Sequence, residues 1–153
     1  MRKKIDKILA NFLVLIMTVM VLNVLWQVFS RFILGSPSSF TDELARYLMI
    51  WVGILGAAYV AGKNMHVAID VLPSRLSPTV QKRLRILVGL LIILFCVTVM
   101  VIGGSRLVYI THFLDQKSPA LQVPLSIVYL VIPISGLLII YYKVSDFFKK
   151  EIL

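Results

Sequence analysis

Four long apolar runs dominate this sequence of 153 residues and limit the folds that it can adopt. They cover residues 8–29, 47–61, 86–110 and 125–142. A hydrocarbon core about 30 Å thick takes roughly 20 apolar residues as a helix, and a helix satisfies its own backbone hydrogen bonds in lipid. The second run reaches that length only when the polar turn from Ser39 is included. The runs predict an all-α integral membrane protein with four transmembrane helices.

Local signals place the ends of these helices within a single membrane domain of residues 1–153. Ser39 stands three residues before Asp42, which is the spacing of a capping box, and Pro78 follows Ser77 as a first-turn proline. We expect helices over about 8–31, 39–62, 78–114 and 124–148, with a kink at Pro133. The loop before Ser77 is apolar but too short to cross, so a short interfacial helix is predicted there.

The basic residues predict how the chain is oriented. If the N-terminus is cytoplasmic, Arg31, Arg46, Arg106 and Lys117 fall outside, and all other lysines and arginines of the sixteen fall inside. The positive-inside rule then places both termini in the cytoplasm. The expected location is the bacterial inner membrane. We interpret the net charge of +9 as orienting the chain and contacting anionic membrane lipid. The sequence has no stripe of basic residues interleaved with aromatic ones, so we expect no nucleic-acid partner. The first run exceeds a typical signal core and lacks a cleavage site, so we expect it to be retained.

The sequence carries no signature of an active site. It has no nucleotide-binding glycine turn, no zinc-protease motif and no cluster of cysteine and histidine. Its single cysteine, Cys96, lies in an apolar run and is expected to be buried. No acidic residue falls near mid-membrane, where a proton-coupled carrier normally needs one. We therefore predict no catalytic, cofactor or metal site, and no enzymatic activity.

Three polar residues share one face of the first helix. Asn23, Gln27 and Arg31 recur at a spacing of four, which places them above one another. Such side chains are costly against lipid, so this face should meet protein or water. Hydrogen bonding between helices is the favoured interpretation, with Arg31 reaching the outer interface. A substrate or ion path is the alternative.

Charged residues gather at the outer start of the second helix. Arg46 stands four residues after Asp42 and three after Glu43, so it can pair with either. Arg31 enters the same layer from the first helix, and we expect it to pair with Asp42 or Glu43. The cluster is interpreted first as structural, then as a docking point for an external partner, and last as a coupling-ion site.

Two weaker patterns remain in the second helix and the loop after it. Gly53, Ala57 and Ala61 form a small-residue stripe that permits close helix contact, within the chain or with a partner. His66 and Asp70 stand four apart in the inner loop. Two residues are too few for a metal site, so we interpret them as a pair that fixes the loop.

The aromatic residues divide into two groups by depth. Trp26, Tyr109 and Tyr142 lie near helix ends and are expected in an aromatic belt at the membrane surface. Trp51 lies about a turn deeper and is expected to pack between helices.

Several of these motifs together resemble the small membrane subunit of tripartite ATP-independent periplasmic (TRAP) transporters, the DctQ-like family. The resemblance rests on residues 26–32 (WQVFSRF), 40–47 (FTDELARY), 50–53 (IWVG), 56–58 (GAA), 66–70 (HVAID), 72–73 (LP) and 118–124 (SPALQVP), followed by Pro133. The family often has tryptophan at the position of Phe40 and glutamate at that of Asp42, and both differences are conservative.

The resemblance implies partners and a role. A large membrane subunit would carry an organic acid with sodium, and a soluble periplasmic protein would bind the substrate. The small subunit would be a static scaffold for the large one, with docking of the periplasmic protein as a second role. The residue patterns described above supply the interface candidates: Arg31, Asp42, Glu43, Arg46, Gly53, Ala57, His66 and Asp70. A small homodimeric four-helix carrier with Asn23 and Gln27 in its pathway is the alternative, and a membrane enzyme using His66 and Asp70 is a third. The sequence does not name the substrate.

Overall fold

A computed structural model describes residues 2–35, 38–63 and 78–148, and nearly all of them are helical. The elements are α1 (Arg2–Phe32), α2 (Ser39–Gly62), α3 (Pro78–Phe95), a π-helix π1 (Cys96–Gly103), α4 (Gly104–Phe113), α5 (Leu125–Tyr129) and α6 (Val131–Phe148). Four helices in these ranges are long and apolar enough to cross a membrane: α1, α2, Thr79–Phe113 and Leu125–Asp146. We call them the first to fourth spans. They confirm the predicted fold class.

Helices α2 and α6 form the centre of the bundle. One apolar cluster joins α1, α2 and the fourth span through Leu9, Leu55, Val131 and Tyr142. A second joins α2, the third span and α6 through Ala58, Ala61, Cys96 and Ile139. Cys96 is buried, as predicted. Large apolar side chains cover the outside of all four spans, as a surface surrounded by lipid or by apolar protein requires.

The third span contains a π-helical segment that the sequence did not predict. The Gly104 N–H is directed to the carbonyl of Val99, five residues earlier, which is the π-helix spacing. Glycine permits close contact with the fourth span within this segment and directly after it. A Cβ on Gly136 would lie 2.8 Å from Cβ of Met100, and one on Gly104 would lie 2.9 Å from Cγ2 of Ile132.

The fourth span is interrupted near its proline. Helix α5 ends at Tyr129 and α6 begins at Val131, so the break falls at Leu130, one turn before Pro133. Proline has no N–H, and the carbonyl of Tyr129 therefore loses its helical donor. This interruption is consistent with the kink expected from the sequence.

The start of α2 differs from the predicted capping box. The N-cap residue is Ser38, and its side chain makes no capping hydrogen bond. The Asp42 carboxylate is instead occupied by Gln27 and Arg46. The capping-box prediction was therefore wrong, because the cap lies one residue earlier than Ser39 and the Asp42 carboxylate bonds to other side chains.

Both ends of the described chain lie at the same end of the bundle. Arg2 at the start of α1 forms an ion pair with Asp146 near the end of α6. We call this the terminal end, and the opposite end, with residues 33–35 and 114–124, the loop end. The predicted interfacial helix before Ser77 falls outside the described residues.

Candidate interface sites at the two ends of the bundle

The carboxylate of Glu43 is the centre of the polar contacts at the loop end. Its Oε2 accepts hydrogen bonds from the backbone N–H groups of Ala120 and Leu121, at 2.9 and 2.7 Å. Its Oε1 accepts a hydrogen bond from the hydroxyl of Tyr47, at 2.9 Å. The residue is only 9% exposed. Glu43 thus binds the loop between the third and fourth spans to the start of α2.

That loop has an ordered structure of its own. Ser118 is fully buried, and its N–H donates to the carbonyl of Val123 at 3.0 Å. The N–H of Leu125 donates to the carbonyl of Gln116 at 2.9 Å, which closes the loop next to the fourth span. Gln122 has a φ of 55°, in the left-handed region that non-glycine residues rarely adopt. The surrounding bonds hold this conformation in place.

The polar face of α1 bonds to the first turn of α2. Asn23 Nδ2 donates to the carbonyl of Thr41 at 2.7 Å, and Gln27 Nε2 donates to Oδ1 of Asp42 at 3.2 Å. The other oxygen of Asp42 pairs with Arg46 four residues later. Asn23 and Gln27 therefore hold two helices together, in agreement with the favoured interpretation of this face.

Arg31 does not form the ion pair that the sequence suggested. Within residues 2–35, 38–63 and 78–148, the ion pairs join Arg2 with Asp146, Arg46 with Asp42, and Lys117 with Asp115. The guanidinium of Arg31 lies over the ring of Phe32, with Cζ 5.9 Å from its centroid. The predicted pairing was wrong because both carboxylates have other partners. Gln27 and Arg46 bond to the carboxylate of Asp42, and Tyr47 and the loop backbone bond to that of Glu43.

Part of the small-residue stripe faces outward. Gly53 and Ala57 are exposed, whereas Ala61 is buried against the third and fourth spans. A Cβ added at Gly53 or at Gly56 would meet no atom within 4 Å. Close helix contact within the chain therefore uses Ala61. Gly53 and Ala57 face outward and leave room for an apolar group from outside the chain.

A second polar cluster closes the terminal end, and the sequence reasoning missed it. The guanidinium of Arg2 bonds to Asp146 and to the carbonyl of Gly62, and lies 5.5 Å from the ring centroid of Tyr142. The Tyr142 hydroxyl donates to Oδ1 of Asp6 at 2.7 Å. The cluster joins α1, the end of α2 and α6. A spacing of four within each pair, Arg2 with Asp6 and Tyr142 with Asp146, was the available signal.

The exposure of the aromatic residues agrees with the expected two groups except at Tyr142. Trp26 and Tyr109 are exposed near the loop end, and Trp51 packs between helices with an edge-to-face contact to Phe12. Tyr142 is instead fully buried, because it fills the space beside Gly62. Its position near a helix end suggested a surface role that its neighbours do not allow.

An apolar cleft of about 380 Å³ opens between α1, α2 and the fourth span. Its lining consists of Ile5, Ile8, Leu9, Phe12, Trp51, Leu55, Ile134 and Leu138. Such a cleft takes a lipid acyl chain or an apolar side chain and offers nothing to a charged substrate.

The described residues do not assemble a catalytic or metal centre. No group of three or more His, Cys, Asp or Glu residues that could hold a metal occurs within them. His66 and Asp70 lie outside these ranges, so their predicted pairing stays a prediction. The polar contacts at both ends of the bundle hold the helices together and leave exposed surfaces between them.

Comparison with known proteins agrees with this architecture. Residues 20–151 match the family model described as tripartite ATP-independent periplasmic transporters, DctQ component. A Haemophilus influenzae protein named as a TRAP transporter small permease protein is 30% identical over 135 residues, which cover 88% of this chain and 82% of the relative. The C4-dicarboxylate TRAP transporter small permease protein DctQ of Rhodobacter capsulatus is 35% identical over 101 residues, covering 65% of this chain and 44% of the relative.

A larger relative shows the same stretch within a longer permease. The isethionate TRAP transporter permease protein DctMQ of Oleidesulfovibrio alaskensis is 29% identical over 101 residues. The match covers 66% of this chain and only 16% of that protein. With a family model that matches most of its length and four membrane-spanning helices, the chain belongs to the DctQ family of TRAP transporter small permease subunits.

Proposed function

We propose that this chain is a static scaffold for the large membrane subunit of a sodium-driven TRAP transporter of organic acids in the bacterial inner membrane. One observation carries the proposal: every acidic side chain in the described ranges is bonded within the chain. Asp6, Asp42, Glu43, Asp115 and Asp146 have partners in the fold. Only Oδ2 of Asp146 is buried there without a hydrogen-bond partner, and it lies at the terminal end of the bundle rather than along a path through it, which favours transport chemistry in another subunit.

The relatives support a large partner. In the DctMQ protein, the stretch similar to this chain is a small part of a permease, which favours an association with a second, larger membrane component. The positive-inside rule supports a cytoplasmic terminal end and a periplasmic loop end. The loop end would then face the soluble substrate-binding protein, and Arg31 and Arg46 are exposed there.

The alternative of a small homodimeric carrier is not favoured. Its pathway was expected to use Asn23 and Gln27, and both side chains are hydrogen bonded to α2. Polar groups that are hydrogen bonded between two helices do not line an open path.

The test is reconstitution with and without a partner. The chain is purified from its native membrane in mild detergent, and co-purifying proteins are identified by mass spectrometry. We expect a large multi-span protein in equal amount. Liposomes with both proteins should take up an organic acid when the periplasmic binding protein and a sodium gradient are supplied. Liposomes with this chain alone should not, and uptake by the chain alone would overturn the proposal.

A further inference from the structure

We propose that the apolar cleft between α1, α2 and the fourth span binds an anionic phospholipid, with an acyl chain in the cleft and the phosphate beside Lys4. The inference does not depend on the proposed function. It starts from the shape of the cleft. Leu9 and Leu55 form its floor and are 6% and 3% exposed, whereas Ile8 and Ile134 at its rim are 69% and 43% exposed. The cleft therefore opens sideways from the bundle, toward the membrane that surrounds the four spans.

The chemistry of the lining fits an acyl chain. All eight lining residues present apolar surface, and the cleft has a volume of about 380 Å³, within the range of pockets that hold small ligands. Water gains too few hydrogen bonds in such a space, and an unfilled apolar space loses the dispersion contacts of its lining. A chain of methylene groups supplies those contacts, because it is flexible enough to follow an irregular cleft between three helices.

The depth of the cleft matches an acyl chain that descends from one membrane surface. Leu9 lies seven residues after Arg2 on α1, and Leu55 lies seven residues before Gly62 on α2. Arg2 bonds to the carbonyl of Gly62 in the polar cluster at the terminal end, and such a charged cluster belongs at the membrane surface. At a rise of 1.5 Å per residue, the floor of the cleft is about 10 Å from that cluster. Half of the hydrocarbon core is about 15 Å thick, so the cleft falls within the leaflet at the terminal end.

The charge at the same end of the bundle fits an anionic headgroup. Lys4 lies one turn before Ile8, at the spacing of four that places both side chains on one face of α1. It is exposed and belongs to none of the ion pairs in the part of the chain that the structure describes. The carboxylate nearest to it along α1 bonds to Tyr142 instead. A lysine ammonium binds phosphate as a point charge, and the exposed Lys3 and Lys7 add positive potential that favours an anionic lipid.

Quenching of the fluorescence of Trp51 measures occupancy of the cleft. Trp51 lines the cleft and is one of two tryptophans in the chain, so Trp26→Phe leaves it as the only source of tryptophan emission. The full chain with this substitution is titrated in mild detergent with phosphatidylglycerol or with phosphatidylcholine, each carrying brominated acyl chains. The lipid concentration that gives half of the maximal quenching reports the affinity for each lipid.

Four variants on this background separate the headgroup from the acyl chain. Lys4→Gln removes the charge at the rim. Its matched control, Lys3→Gln, removes an exposed charge that lies five residues before Ile8 and about 140° away around the helix. Ile134→Phe adds bulk inside the cleft, and Ile102→Phe adds the same ring at an exposed position of the third span.

We expect saturable quenching by phosphatidylglycerol, with phosphatidylcholine requiring a concentration about fivefold higher, which is the contribution of one lysine beside an anionic headgroup. Lys4→Gln should raise the phosphatidylglycerol value about fivefold, to that of phosphatidylcholine. Lys3→Gln should change it less than about twofold, because its charge is screened by solvent. Ile134→Phe should raise the values of both lipids on the order of tenfold, as the loss of about two buried methylene groups implies. Ile102→Phe should change neither value.

Four results each contradict the inference. Equal values for the two lipids indicate ordinary contact with surrounding lipid, and an unchanged value in Ile134→Phe places the acyl chain outside the cleft. Equal effects of Lys4→Gln and Lys3→Gln reduce both lysines to a general positive potential. The fourth result concerns the complex. If mass spectrometry finds phosphatidylglycerol on the isolated chain but none on the chain purified with a large subunit, an apolar segment of that subunit fills the cleft instead.

Discussion

At the scale of single residues, Gly62 and Tyr142 show how one missing side chain determines the place of another. Tyr142 is completely buried, and its ring occupies the space where a Cβ on Gly62 would lie. The glycine also offers its carbonyl to Arg2. The terminal end closes because the last residue of α2 has no side chain to keep the ring away.

We expect Gly62→Ala to destabilise the protein by about 1–3 kcal/mol, the usual cost of overpacking. The new Cβ would lie 2.8–2.9 Å from three ring carbons of Tyr142. Gly53→Ala is the matched control, because its Cβ meets nothing within 4 Å and alanine favours the helix. Thermal unfolding of the purified protein in detergent measures both. Equal melting temperatures for the two variants would contradict the packing explanation.

The sequence identified important side chains at this scale but not their partners. Asn23 and Gln27 were selected correctly as polar groups that bond between helices. Glu43 bonds to a loop far along the chain, and nothing in local spacing indicates such a partner. Arg31 was misassigned for the same reason, since competition among partners depends on tertiary distances.

At the scale of elements, the apolar runs located all four spans and Pro133 indicated where the fourth is interrupted. These features follow from hydropathy and from the missing proline N–H, which are properties of the sequence alone. The π-helix was not predictable in this way. It lies where Gly136 brings the fourth span against Met100, a contact between two helices that no local pattern indicates.

The outward face of α2 supports a prediction about the partner subunit. Gly53→Leu should leave the chain itself folded, because its side chain points into open space and leucine favours a helix over glycine. If this face contacts a helix of the large subunit, the added bulk should reduce co-purification of that subunit about tenfold or more, by preventing close approach. Western blotting after mild-detergent purification gives the ratio.

The control for Gly53→Leu is Val99→Leu, at an exposed position on the third span. It adds bulk to a different face and should leave the ratio near the wild-type value. If Gly53→Leu retains the full complement of the large subunit, this face of α2 meets lipid and the contact lies elsewhere.

At the scale of the whole molecule, the terminal end is held by an ion pair between residues 144 positions apart in the chain. The side chains of Arg2 and Asp146 are 17% and 9% exposed, so the pair is largely removed from solvent. Asp6 and Tyr142 add a second bond between the same two helices. The fold is thereby closed where its first and last spans meet, an arrangement that no local pattern in the sequence indicates.

Breaking this closure should be costly. Arg2→Asp would place two carboxylates together, and we expect a loss of about 3–5 kcal/mol, as for a buried pair deprived of one partner. Adding Asp146→Arg should recover at least half of the loss by restoring opposite charges. Lys3→Asp, at an exposed neighbour, should have little effect. Thermal unfolding of the four proteins tests this, and a double variant no more stable than Arg2→Asp would refute the pairing.

The π-helix also determines which way helix α4 faces relative to α3. Successive residues of an α-helix are rotated by about 100° around the helix axis. A π segment has hydrogen bonds that span five residues instead of four, so it holds more residues per turn. Helix α4 therefore has a different azimuth from the one that α3 would impose on it. Deleting one residue from Cys96–Gly103 would remove a residue that the π segment takes up, so the segment can close as a regular α-helix while α4 keeps its facing. Deleting one residue from α3 has no such compensation and would turn α4, with the loop that follows it, by about 100°. The π segment thus makes this part of the third span tolerant of a change in length.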